Sequence, residues 1–201
     1  MKLKICGLKR IEDIEYANLV KPDYVGFVFA GNKRRITYDM AERLKEKLSA
    51  DIKAVGVFVN EPLKNIADLL ERNIIDIAQL HGDESEEDVK YIKSATGKKV
   101  IKAVRVRSRC DAEAWLDSSA DYLLFDSGAG SGITLDWSLL CGIDRKYFLA
   151  GGLTPDNIAC ACMRLTPYAV DLSSGVETDG VKDFEKMRRT VETVRKLSYT
   201  L

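Results

Sequence analysis

A chain of 201 residues with 46% hydrophobic content is long enough to bury a sizeable core. Its 31 basic and 31 acidic residues cancel, and its one basic cluster is the short Lys33-Arg34-Arg35 run, so nucleic acid and acidic membranes are poor partners. Five cysteines at irregular spacing, with no CxxC pair and one histidine in the chain, argue against a disulfide framework or a structural zinc site. The start lacks the apolar stretch of a secretory signal, and no run reaches the roughly 18 apolar residues of a membrane span, so a cytoplasmic protein is expected.

Short β-type runs fall at residues 3–6, 24–29, 54–59, 76–80, 100–104, 122–125, 147–149 and 169–172. Between them lie segments with apolar residues at helical spacing, such as Leu63, Ile66, Ala67 and Leu70, or Ile158, Ala161, Cys162 and Leu165. The last segment repeats the pattern with Phe184, Met187, Val191 and Val194. The fifth and sixth helices, around 112–116 and 136–140, are short and poorly periodic. Strands alternating with helices imply right-handed parallel crossovers, in either an open doubly wound sheet or a closed barrel. A count of eight favours the barrel, and the expectation is one TIM-barrel domain over residues 1–201 with minimal loops.

In such a barrel the active site is built at the carboxyl ends of the strands. Polar residues there are Cys6-Gly7 after strand one, Lys33-Arg34-Arg35 after strand two and Gln79-Leu80-His81-Gly82-Asp83 after strand four. Asp126-Ser127-Gly128 follows strand six, and Gly151-Gly152 and Ser173-Ser174-Gly175 follow strands seven and eight. Glycine-rich turns let backbone N–H groups approach an anion, and loops seven and eight commonly hold a phosphate in this fold, although such glycines also serve simple tight turns. Alternation along strand one puts Lys2, Lys4 and Cys6 on one face and Leu3 and Ile5 on the other, which points Cys6 into the mouth. To act as a base near neutral pH its thiol needs an electropositive setting, for which Lys4 is the candidate. Cys162, on an apolar helical stripe, reads as packing. Asp126 ends an apolar run; burial is expected to raise its pKa and keep it protonated as a general acid, with turn capping as the plainer role. This acid and base pair needs no metal or cofactor, and His81, without a ligand cluster, reads as orienting its loop. Arg35 is either a solvated charge or a planar fork for a carboxylate.

Taken together, Lys4-Ile5-Cys6-Gly7-Leu8, Gly26-Phe27-Val28-Phe29, Gln79-Leu80-His81-Gly82-Asp83-Glu84, Leu124-Phe125-Asp126-Ser127, Leu149-Ala150-Gly151-Gly152-Leu153-Thr154-Pro155-Asp156-Asn157 and Asp171-Leu172-Ser173-Ser174-Gly175-Val176-Glu177 resemble the phosphoribosylanthranilate isomerase family of tryptophan biosynthesis. The resemblance implies an Amadori rearrangement on a single TIM barrel. In it Asp126 protonates the furanose ring oxygen as general acid, and Cys6 removes the C2 proton as general base. It aligns Arg35 with the arginine near the anthranilate carboxylate, but Lys33-Arg34-Arg35 replaces the family's Ser-Pro-Arg, so Arg34 could share or replace that role. It implies a substrate-binding set of Arg35, His81, Gly152, Ser174 and Gly175, and it matches Gly130-Ser131-Gly132-Ile133-Thr134-Leu135-Asp136-Trp137 to a glycine-rich loop. The implied partner is a small phosphorylated substrate, with no cofactor, metal, nucleic acid or membrane, and the chain working as monomer or homodimer. Metal-dependent sugar-phosphate epimerases need more histidines than this chain has, and a non-catalytic phosphate-binding barrel would need neither Cys6 nor Asp126.

Overall fold

Parallel strands covered on both faces need apolar residues on both, and the β-type runs of this chain supply them. In the computed structural model, which describes residues 1–128 and 135–197, these runs form β1 (Lys2–Cys6), β2 (Tyr24–Val28), β3 (Lys53–Phe58), β4 (Ile77–Leu80), β5 (Lys99–Arg105), β6 (Tyr122–Asp126), β7 (Tyr147–Leu149) and β8 (Ala169–Leu172). All eight pair in parallel in sequence order, and β8 closes on β1 through Leu3 opposite Val170 and Lys4 opposite Asp171. The closed barrel matches the expected fold.

Around it run α1 (Ile11–Val20), α2 (Tyr38–Lys47), α3 (Leu63–Glu71), α4 (Glu86–Thr96), α5 (Arg109–Glu113), α6 (Ile158–Leu165) and α7 (Phe184–Leu197). Helix α4 shows how local sequence sets the ends. Ser85 accepts from the Asp88 N–H while Asp88 accepts from the Ser85 N–H, and Gly97 closes the helix with φ 64°. The two connections with poor periodicity depart from regular helices: α5 is a five-residue helix, and the described part of the connection after β6 carries a 3-10 turn at Trp137–Leu140. A hairpin of two-residue strands, β9 (Glu177–Thr178) and β10 (Val181–Lys182), follows β8 in addition to the expected elements. Among the described residues no helix is long and apolar enough to cross a membrane.

Alternation along the strands divides the core in two. Leu3, Ile5, Val25 and Phe27 pack outward against the helices, whereas Tyr24, Val55, Ile101, Leu124 and Phe148 fill the barrel interior. The amino-terminal end is plugged by aromatic rings, with Tyr24 and Tyr122 edge-on to Phe148 at 5.4 and 5.5 Å and Tyr168 stacked on Tyr122 at 4.9 Å. That plug leaves the carboxyl end as the face where the interior opens to ligand.

Candidate active site

A cavity of about 840 Å³ occupies the carboxyl end of the barrel. Cys6, His81, Asp126, Gly152 and Ser174 all line it, as do Gln79 and Asp171. Gly175 does not; it lies against the Leu153 carbonyl, where a side chain would collide, and so locks the β7 loop onto the β8 loop. The loop following β6 was expected to contribute residues 130–137, of which 130–134 lie outside the described residues; Asp136 caps the 3-10 turn by accepting from the Ser138 N–H at 3.0 Å.

Cys6 is the last residue of β1, and its inward aim follows from Leu3 and Ile5 facing outward. Gly26, its neighbour on β2, gives the thiol its space, since a Cβ there would sit 2.6 Å from Sγ. Beneath it, Lys4 is wholly buried and donates from Nζ to Asp171 Oδ2 at 2.8 Å. The expected electropositive group is therefore present but shared between Asp171 and the Cys6 thiol. Burial pushes the Cys6 thiol up and Asp171 adds to the effect, while Lys4 and Lys182 oppose it without winning.

Asp126 ends β6 and faces the same cavity. Burial alone would raise its pKa, as expected, but His81 and the backbone N–H groups of Gly128 and Ser127 outweigh it and hold the carboxyl below the usual range. The Gly128 N–H donates to Oδ1 at 3.2 Å, and His81 Nε2 lies 3.5 Å from Oδ2. The Gln79 side-chain nitrogen is 2.8 Å from His81 Nδ1. With that amide donating, the ring proton is assigned to Nε2 and faces the carboxylate. Gly151, at φ 86°, packs so closely that a Cβ would lie 3.0 Å from Asp126 Oδ1. His81 thus orients the acid, as well as lining the cavity.

The loop after β2 separates two adjacent arginines. Arg34 lines the cavity, whereas Arg35 lines a different recess with Phe29, Thr37, Tyr38 and Glu61. A bridge between Val28 and Arg35, with the Ile36 N–H donating to the Val28 carbonyl at 2.9 Å, anchors the loop between the two and leaves Arg34 on the cavity side. Arg34, not Arg35, is the guanidinium beside Cys6. Its Nε and Nη2 donate to Glu177 at 2.7 and 2.8 Å.

Gln79 and Asp171 enter the sequence motifs without a role of their own. Each keeps a buried side-chain oxygen, Gln79 Oε1 and Asp171 Oδ1, with no hydrogen-bond partner among the described residues. Their signal was a polar residue inside a four-residue apolar strand, where alternation can only turn it inward.

This mouth, with a thiol and a carboxyl on well-separated strands and glycine turns after β7 and β8, has the layout of a TIM-barrel enzyme's active site. Comparison with known proteins narrows it. A family model described as N-(5'phosphoribosyl)anthranilate (PRA) isomerase matches residues 3–193. An N-(5'-phosphoribosyl)anthranilate isomerase from Endomicrobium trichonymphae is 49% identical over 201 residues, covering 98% of this chain and 99% of its own. The crystal structure of phosphoribosyl anthranilate isomerase from Thermotoga maritima superposes with a TM-score of 0.88 at 36% identity, covering 98% of this chain and 99% of that one. A structure of a phosphoribosyl anthranilate isomerase in complex with reduced 1-(o-carboxyphenylamino)-1-deoxyribulose 5-phosphate gives a TM-score of 0.87 at 35% identity, with 98% of this chain and 99% of that one covered. The chain belongs to the N-(5'-phosphoribosyl)anthranilate isomerase family, the aldose–ketose isomerases of tryptophan biosynthesis.

Proposed function

We propose that the cavity binds N-(5'-phosphoribosyl)anthranilate and rearranges it to 1-(2-carboxyphenylamino)-1-deoxyribulose 5-phosphate, with Asp126 as general acid and Cys6 as general base. The observation that carries this reading is that both groups line one cavity from β6 and β1, each with a glycine clearing its space. The phosphate sits on the turns of Gly152, Ser174 and Gly175, where the 3-10 turn Ser174–Val176 begins. Arg34 takes the anthranilate carboxylate, and His81 acts on Asp126.

Asp126 gives its proton to the ring oxygen, the C1–O bond breaks, and the nitrogen lone pair forms the Schiff base. Cys6 then takes the C2 proton, and those electrons form the C1–C2 double bond of an enolamine as the C=N pair returns to nitrogen. Protonation at C1 with loss of the O2 proton completes the ketose, so atoms and electrons balance without a redox partner. In the free enzyme the pair rests as Cys6 thiol and Asp126 carboxylate, as the directions of their shifts require. The working form, thiolate and carboxylic acid, holds the same number of protons in the other arrangement. Between the two pKa values its share is therefore set by the site and not by pH, and the charges of Lys4 and Lys182 acting on Cys6 favour the thiolate.

The chain works in this reading as one barrel domain over residues 1–201, in the cytoplasm, as monomer or homodimer. The test follows loss of anthranilate-type fluorescence when freshly made substrate meets wild type, Cys6→Ser and Asp126→Asn. Wild type should turn over, and each variant should fall by about 10²–10⁴-fold, the loss expected of a missing acid or base. An inactive wild type that still binds phosphosugars would leave a binding barrel in place of an enzyme.

A further inference from the structure

The hairpin that follows β8 reaches back to the mouth. Glu177 opens it and Lys182 closes it as register partners. The Glu177 carboxylate accepts from Arg34 Nε and Nη2 and from Lys182 Nζ, the last at 2.6 Å. Lys182 is 3% exposed and donates also to the Ser173 carbonyl at 3.0 Å. The Ser173 hydroxyl in turn donates to the Cys6 carbonyl at 3.0 Å.

We infer that Glu177 is a positioning residue for recognition of the substrate carboxylate: it fixes one edge of the Arg34 guanidinium so that the other edge meets the anthranilate carboxylate as a two-pronged donor. This rests on the reading of Arg34 given above. A guanidinium carries five N–H groups in one plane and can meet a carboxylate side-on through Nε and Nη2 or end-on through Nη1 and Nη2. Glu177 takes the side-on edge, and the end-on pair remains.

The trio of Arg34, Glu177 and Lys182 also keeps a positive charge beside that edge. An isolated arginine and glutamate pair is neutral and offers an incoming anion little attraction at range. Here one carboxylate is shared by Arg34 and by Lys182, whose pKa burial lowers against the pull of Glu177; with both protonated the trio carries a net charge of +1 beside the cavity. Burial opposes ionisation of Glu177, but its bonds from Arg34 and Lys182 pull its pKa down to about 2, so it stays charged across the working pH range. Gly7, at φ 85°, supplies the matching space, because a side chain there would occupy the path of the Arg34 stem. The brace therefore ties the arginine of the β2 loop to the β8 loop and to the backbone of Cys6.

The experiment compares kcat/KM for N-(5'-phosphoribosyl)anthranilate and for its carboxylate-free analogue, N-(5'-phosphoribosyl)aniline. It uses wild type, Arg34→Ala, Glu177→Gln and the double variant, with thermal midpoints for each. Wild type should prefer the carboxylate substrate, and Arg34→Ala should erase the preference. Glu177→Gln should cut it by about tenfold or more, mainly through KM, as loss of charge-assisted hydrogen bonding predicts, and should leave the aniline analogue within about threefold of wild type. In the Arg34→Ala background Glu177→Gln should change the preference no further. Equal losses on both substrates would make Glu177 merely structural and overturn the inference. A wild type with no preference would overturn the reading of Arg34 itself, whereas a preference lost in Arg34→Ala and kept in Glu177→Gln would overturn the Glu177 inference alone. If Glu177→Gln does not fold, Glu177→Asp keeps the charge but draws it back by one methylene; a reduced preference supports the inference and a full one refutes it.

Discussion

Substituting Gly151 by alanine should displace Asp126, the proposed general acid, without changing its side chain. Gly151 holds φ 86°, and a Cβ there would lie 2.7 Å from Ser127 Oγ, 2.8 Å from Ser127 N and 3.0 Å from Asp126 Oδ1. The left-handed backbone costs an alanine about 1–2 kcal/mol, and the overlap adds about 1–3 kcal/mol. One of the three contacts is a backbone nitrogen, so no rotamer change relieves it and the end of β6 must move. At about 2–4 °C per kcal/mol for a chain of this size, the thermal midpoint should fall by at least several degrees. A misplacement approaching 1 Å in a catalytic group costs on the order of 10²-fold in rate, so kcat/KM should fall by about that factor. The control is Gly97→Ala at the end of α4, where φ is 64° and nothing lies within 4 Å of the added carbon. It should lose only the backbone contribution and keep full activity. If Gly151→Ala loses no more stability than Gly97→Ala and keeps kcat/KM within about twofold of wild type, the close packing does not position Asp126, and the argument from it fails.

Three further outcomes are expected. The profile of kcat/KM against pH should be a wide plateau: the singly protonated pair is lost to acid only when Asp126, held low, gains a proton, and to alkali only when the raised Cys6 thiol loses one. A narrow bell centred near neutrality would contradict those shifts. Lys4→Met strips the counter-charge from buried Asp171 and should cost about 3–5 kcal/mol in urea unfolding at neutral pH; a loss below about 1 kcal/mol, the size of an exposed pair, would refute the pairing. Arg35→Ala should leave KM within about twofold of wild type, the range of a surface change, whereas Arg34→Ala should raise it; the reverse order would restore Arg35 to the site.

The strands were legible because each is an apolar run whose alternation sorts two cores, and the inward aim of Cys6 follows from Leu3 and Ile5 alone. What sequence spacing does not carry is register between distant segments. A single bridge from Val28 to Arg35 decides which arginine meets the cavity, and a one-residue shift in such a segment swaps its two faces. The same limit explains the charge states. Burial of Asp126 could be read from the run before it, but the His81 ring and the turn N–H groups that outweigh burial become its neighbours only when β4 and β6 stand around one mouth. Lys4 lies two residues from Cys6 in sequence and acts on its thiol, yet it is shared with Asp171, which β8 brings alongside only when the barrel closes. The Glu177 hairpin is built of two-residue strands, too short for any periodicity to register. Sequence therefore identifies the groups that can do the chemistry, and closure of the barrel decides which of them share charge; in this site the second decision sets the direction in which Asp126 and Cys6, the proposed acid and base, are shifted.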